Sequence, residues 1–267
     1  MHITWIIAVI SGVTSVTFAA PAAPNLKTDE ISARGMEDVS DYFNLLAKKA
    51  MNSHYLSMRP NCDLSNVPMP NSPEPLEPPI DGLILHHIAI GRGVQNYTCS
   101  LDNVSGKPKA IGAVATLFDA SCLAAVHPEI ASMLPRASLR FNMTEKDHLA
   151  AIPDSVLAPS NLRVSGKHFF TDKGVPFFNL DTPSAQLGKA ACVKDDAKPA
   201  PDTAAQGQQG EPAVAWLRLN TTEGTEGNIK QVYRLHTAGG SPPTTCENMP
   251  ETFSVEYAAQ YWFWKEE

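Results

Sequence analysis

Arg92 stands between two glycines, Gly91 and Gly93, and is followed at alternate positions by Gln95, Tyr97 and Cys99. Glycine on either side leaves a guanidinium unobstructed. Guanidinium, amide and phenol are the groups that hold a carbonyl or an anion by directed hydrogen bonds. Asn96-Tyr97-Thr98 is a glycosylation sequon. Alternate side chains of a strand share a face. If Asn96 carries sugar it faces solvent with Val94 and Thr98, and Gln95, Tyr97 and Cys99 point inward. An inward Gln and Tyr make either a satisfied polar core or the floor of a pocket. A second β-rich run contributes Tyr233 and Arg234, and a buried Arg234 needs a carboxylate or carbonyl partner. Two readings follow. The plainer is a structural ion pair of these arginines with Glu256 or Asp119. The sharper is an anion- or carbonyl-binding pocket built from Arg92, Gln95, Tyr97, Tyr233 and Arg234.

Other chemistry finds less support. His86 and His87 are adjacent on an expected strand and face opposite sides, so they cannot share a metal, and no His-x-His, Cys-x-x-Cys or His-Glu-x-x-His spacing occurs. A metal site is not expected. His168, beside Phe169-Phe170, reads first as a hydrogen-bonded core histidine and second as a ligand contact. Ser121 has no evident base, and there is no Gly-x-Ser-x-Gly elbow. Asp119, Asp172 and Glu256 are the acids from which a glycosidase pair would have to be assembled, at a separation the sequence does not give.

These residues need strands to position them. Runs rich in β-branched and aromatic residues predict strands near 82–90, 94–100, 111–118, 213–220, 229–236 and 253–264, the first two joined as a hairpin or a sharply kinked strand at Gly91-Arg92-Gly93. Asp172-Lys173-Gly174 predicts a hairpin turn between 167–171 and 175–180. In the last strand Phe253, Val255, Tyr257, Ala259, Tyr261 and Phe263 share one face, a stripe that fills an interior, while Glu256 and Gln260 turn to solvent. Met36–Met51 has Val39, Tyr42, Phe43, Leu46 and Ala50 at helical spacing. A short helical turn is expected around His127–Ile130. Prolines rule out regular structure over 60–79, and the Ala-, Pro- and Gln-rich stretch 182–212 reads as a mobile surface loop. The expected fold is all-β, an antiparallel sandwich or closed barrel with one N-terminal amphipathic helix. Residues 1–19 are a signal peptide, 20–61 a disordered lead-in plus that helix, and 62–267 the β-rich domain.

Of 267 residues 43% are hydrophobic, enough for a sizeable core. The net charge is −7 and basic residues never cluster, which excludes the basic stripe that nucleic acid or an anionic membrane requires. An apolar run at Trp5–Ile10 followed by small residues fits a cleaved secretory signal, after which no membrane contact is expected. Four sequons, at Asn96, Asn103, Asn142 and Asn220, agree with export. Five cysteines in an exported chain imply two disulfides and one thiol. Cys99 and Cys122 close consecutive strands and are paired on that ground; Cys62 and Cys246 form the second pair, and Cys192, in the polar loop, is left free.

Gly91–Cys99, Ala115–Cys122, Val232–Pro243 and Val255–Phe263 together resemble the secreted, mostly fungal domain of unknown function 3455, over roughly Cys62 to Trp264. The resemblance implies no assigned activity. Members often carry the label malate dehydrogenase, which this sequence does not support, because position 96 is Asn where a Gly-x-Gly-x-x-Gly fingerprint needs glycine. Related fungal proteins act as hetero-Diels–Alderases, and this implies a cofactor-free pocket that orients two reactants. The expectation is therefore a secreted domain that binds a small apolar or polyketide-like molecule without a cofactor. The alternative is a non-catalytic protein whose aromatics stack on cell-wall or host-surface glycans.

Overall fold

The computed structural model describes residues 33–52, 62–141, 143 and 156–267. The expected signal peptide, the rest of the lead-in and the sequon at Asn142 lie outside the described residues. Eight strands follow in chain order: β1 (Ile84–Thr98), β2 (Lys109–Asp119), β3 (Val164–Phe170), β4 (Pro176–Thr182), β5 (Ala185–Lys198), β6 (Trp216–Thr221), β7 (Ile229–Gly239) and β8 (Thr252–Lys265). Each pairs antiparallel with the next, and β8 returns to β1. Of the two all-β forms expected, the chain takes the closed barrel.

Side-chain alternation sorts the strands into two layers. Inside the barrel lie Tyr257, Tyr261, Phe263, Phe178, Leu117, Leu180, Leu219 and Val232, packed against alanines such as Ala89, Ala115, Ala190 and Ala259. Small residues opposite large ones let a narrow barrel fill completely. Outside, Ile88, Ile90, Phe118, Tyr233, Leu235 and Trp262 form a second apolar layer. It is covered by α2 (Ser121–Val126) and α3 (Pro128–Ser138), by Tyr42 of α1 (Ala33–Asn52), and by Leu64, Val67 and Met69 of the proline-rich lead-in. α3 opens on proline, with Glu129 in its first turn and Arg136 in its last, the order its dipole favours. Helix α1 is held by Asp38, which approaches Arg136 of α3 at 3.5 Å and bonds Arg140, two residues past the end of α3, at 3.0 Å. Phe43, expected on its apolar face, is 48% exposed.

Four expectations are corrected. The run through Gly91-Arg92-Gly93 is one unbroken 15-residue strand, not a hairpin. Its glycines serve close packing: a Cβ on Gly91 would lie 2.5 Å from the Tyr261 ring, and one on Gly93 would lie 2.0 Å from the Val114 carbonyl oxygen. The loop expected over 182–212 contains β5, whose buried residues are small: Ala190 and Cys192 pack inside with Phe178 and Phe263, and a Cβ on Gly188 would lie 2.6 Å from the Glu226 carbonyl oxygen. Where one helical turn was expected there are two helices, α2 and α3.

The disulfides pair differently from the expectation. They are Cys62–Cys122 and Cys99–Cys246, with Cys192 free. Cys99 follows β1 and Cys122 follows β2, and antiparallel neighbours finish at opposite ends of a barrel. The 11 residues of β2 at about 3.4 Å each separate those ends by roughly 35 Å, far beyond the ~6 Å span of a disulfide. Cys246 lies in the β7–β8 loop, at the end where β1 finishes. Cys192 is not in a loop but buried in β5, and burial pushes its thiol up to about 12, so it is unreactive.

Candidate functional site at one end of the barrel

The six residues singled out from the sequence fall on two sides of the barrel wall. Gln95, Tyr97, His168 and Arg234 face inward. Arg92 and Tyr233 face outward, because on β7 it is Val232 and Arg234 that take the inner positions. The six therefore do not line a common pocket. The facing argument on β1 does hold: Gln95 is 8% and Tyr97 5% exposed, while Asn96 is only half-buried and accepts a hydrogen bond from Ser254 at 2.8 Å. Val94 shares the Asn96 face yet is buried, so the outer layer covers that face in part. Of the remaining sequons, Asn103 is exposed in a turn and Asn220 is half-buried, its Oδ1 accepting from Gln231.

Arg92 follows the plainer reading. Its Nη2 donates to the Glu256 carboxylate on β8, and its Nη1 reaches the carbonyls of Gly93 and Tyr257, each at 3.3 Å. It ties the outer faces of β1 and β8. Tyr233 donates to the Glu77 carbonyl at 2.9 Å and so clamps the lead-in to the wall. Gln260, expected in solvent, is 2% exposed beneath the helical layer and accepts from Trp262 Nε1.

The inward residues form a polar group within the barrel. The phenols of Tyr257 and Tyr261 bond each other at 2.8 Å, and burial raises both above their ordinary range. Arg234 donates through Nε and Nη2 to the Ala215 carbonyl at 3.1 and 2.9 Å, a carbonyl partner in place of a carboxylate. Tyr97 donates to the Gly240 carbonyl at 2.7 Å, and burial pushes its phenol up to about 12. His168 stacks on Phe178 with centroids 4.2 Å apart, and its Nδ1 donates to the Phe177 carbonyl at 3.0 Å. That fixes the Nδ1–H tautomer. These five side chains are hydrogen-bonded and rigidify the end of the barrel, whereas the Gln95 Nε2 is buried with no hydrogen-bond partner among the described residues.

Burial also keeps three histidines neutral: His87, His168 and His236 are each pushed down to about 4. Between that value and the ordinary 6.5 the unfolded chain binds protons that the folded chain does not, so stability rises with pH across the window and is lost on acidification. The unfolding free energy from urea titrations should fall from pH 6.5 towards pH 4, by up to about 1.4 kcal/mol per pH unit for each histidine. A profile flat over that range contradicts the assignment. The sequence did not reveal the bonding of His87, whose Nδ1 and Nε2 meet Ser121 and Ser165 at 2.9 and 3.0 Å. The serine that lacked an evident base lies against a histidine 34 positions earlier, an adjacency only the barrel creates.

The open space at this end lies just beyond Tyr97. Phe253 stacks on the Tyr97 ring with centroids 5.5 Å apart, and its surroundings form a cleft of about 410 Å³. Its walls are Phe253 and Val255 of β8, Pro212 ahead of β6, and Pro242, Pro243 and Met249 of the β7–β8 loop. Glu211 is the one ionisable residue among those lining it. The Cys99–Cys246 disulfide pins the loop that supplies three of the walls. Sequence reasoning found Tyr97 but missed the cleft, since its walls come from loops whose prolines carry no periodicity.

A family model described as a protein of unknown function, DUF3455, matches residues 79–265. No curated protein and no solved structure matches the chain.

Proposed function

The chain belongs to the DUF3455 family, whose matched span holds every residue lining the mouth cleft, and on that premise we propose that it binds a small, largely apolar, polyketide-like molecule there. The observation that carries this reading is the cleft itself. Its volume of about 410 Å³ lies in the range of small-molecule sites, and its walls are apolar with few polar groups at the rim. Polar groups anchored beneath it, Tyr97 above all, hold Phe253 in place. Three prolines stiffen the walls, so little ordering is required of them on binding.

Any acceleration in such a cleft would come from holding two reactants together, as a cycloaddition requires. Glu211 alone offers little for nucleophilic or acid–base chemistry. Stacking on glycans is the weaker reading, because it needs an open ring face and Phe253 spends one face on Tyr97. The two disulfides support a protein made for an oxidising compartment, and we read it as secreted. Among the described residues no helix is long and apolar enough to cross a membrane.

The reading is tested by titrating the folded protein with Nile red, a neutral polycyclic dye, and following its fluorescence. The wild type should bind saturably, and Phe253→Ala should weaken binding about tenfold, the loss of one aromatic contact of ~1.4 kcal/mol. Equal binding by the two proteins, or none by the wild type, overturns it, and retention on chitin or glucan beads would favour the glycan alternative instead.

A further inference from the structure

A pair of cavities lies on the outer side of the barrel wall, beneath α3. The larger, about 310 Å³, is bounded by Pro68, Met69 and Pro70 of the lead-in and by Gln260 and Trp262 of β8. The smaller, about 120 Å³, is bounded by Arg136 of α3, Pro201 and Trp216. Ser132 of α3 and His236 of β7 line both cavities. These two side chains stand where the cavities adjoin.

The backbone at His236 is unusual. Its φ is +48°, the left-handed region that costs an L-residue about 1–2 kcal/mol. It lies where the β7–β8 register slips, between Leu235 and Ala238. The slip and the positive φ turn the ring away from the interior and set its edge against Trp216, with centroids 5.4 Å apart. Strain held at a position facing a cavity is a mark of a working site.

The chemistry offered there is neutral. His236 makes no hydrogen bond to a described residue, so its imidazole presents one donor and one acceptor to the cavities. Gln260 has its Oε1 committed to Trp262 Nε1 at 2.8 Å, which leaves its amide N–H groups for an acceptor. Trp216 Nε1 is a buried donor with no partner. Arg136 is already matched by Asp38 and Asp41 at 3.5 and 3.3 Å, and Glu129 stands at the rim of the larger cavity, so the site has no net attraction for an anion. The body of the larger cavity is proline, methionine and the Trp262 ring, which suits a flat apolar group.

We propose that these cavities form a second small-molecule site, separate from the mouth cleft, that takes an uncharged ring compound bearing a carbonyl acceptor. The ring lies along Trp262 and the lead-in prolines. The carbonyl turns towards His236 and the Gln260 amide.

The test uses the full chain labelled with ¹⁵N and acetanilide, a planar ring with one amide carbonyl, as probe. The indole N–H signals of Trp216, Trp262 and Trp264 are told apart by single Trp→Phe replacements. Acetanilide should move the signals of Trp216 and Trp262 saturably. His236→Asn, whose residue also tolerates a positive φ, should raise Kd at least tenfold with the fold intact. Ser132→Phe, which fills the junction from α3, should abolish binding. Benzoate, with a carboxylate in place of the amide, should bind at least tenfold more weakly than acetanilide. No movement of either signal at millimolar acetanilide, unchanged affinity in both variants, or preference for benzoate overturns the proposal. Neither tryptophan lines the mouth cleft, so failure here leaves the Nile red result standing, and the reverse.

Discussion

Gly93→Ala abolishes the folded barrel. The added methyl would lie 2.0 Å from the Val114 carbonyl oxygen and 2.6 Å from the Ala115 Cα, so the obstacle is the backbone of β2 rather than a side chain that can swing aside. β1 and β2 would have to part at the Gly93–Ala115 pair, in the middle of their ladder. Overpacking of side chains costs about 1–3 kcal/mol, and a clash with paired backbone exceeds it, against a total stability of ~5–15 kcal/mol. Urea denaturation followed by tryptophan fluorescence should show no cooperative transition, or one shifted by more than ~4 kcal/mol. Gly174→Ala is the control. Its φ is +74° but a Cβ there meets nothing within 4 Å, so its cost should stay near 1–2 kcal/mol. Similar costs for the two would mean that β1 and β2 are not this close.

Replacing Cys99 and Cys246 together by serine should have the second-largest effect. Their bond spans 147 residues, against 60 for Cys62–Cys122. Constraint of the unfolded chain grows with the enclosed loop, to about 5 kcal/mol for the long span and about 4 for the short one. The distinguishing result is at the mouth cleft. Cys246 anchors the loop carrying Pro242, Pro243 and Met249, so its loss should weaken Nile red binding as well as stability. Loss of Cys62–Cys122, which holds the lead-in to α2, should lower stability while leaving Nile red affinity within twofold. Equal loss of dye binding in both variants would mean that the disulfide does not shape the cleft.

The strands with branched and aromatic alternation were legible residue by residue. β8 announced its inner face from Val255 to Phe263, and the sequon at Asn96 was enough to orient Gln95 and Tyr97 inward. β5 was not legible, because a strand whose buried members are Gly188, Ala190, Ala191 and Cys192 has the composition of a loop. The smallness of Ala190 and Cys192 makes sense only once Phe178 and Phe263 are known to occupy the same interior, and that of Gly188 only once the Glu226 backbone is known to pass beside it. The disulfides failed for a related reason: pairing depends on which strand ends meet, and that is decided by closure of the sheet. The candidate site was half legible. Gln95 and Tyr97 do point inward and Arg234 does find a carbonyl partner, but Arg92 and Tyr233 belong to the outer layer, whose existence depends on helices covering the barrel. His236 carried no signal, since its neighbours Leu235 and Thr237 read as an ordinary strand, and the register slip that turns it outward is a property of two strands together.

In the first and last strands, Ile84 stands opposite Lys265, so the polypeptide enters and leaves the sheet side by side. The chain on either side of the sheet is not equivalent: ahead of Ile84 the lead-in passes over the outer layer to Cys62, bonded to Cys122 of α2, so an insertion or permutation that joined Ile84 directly to Lys265 would give up that covering.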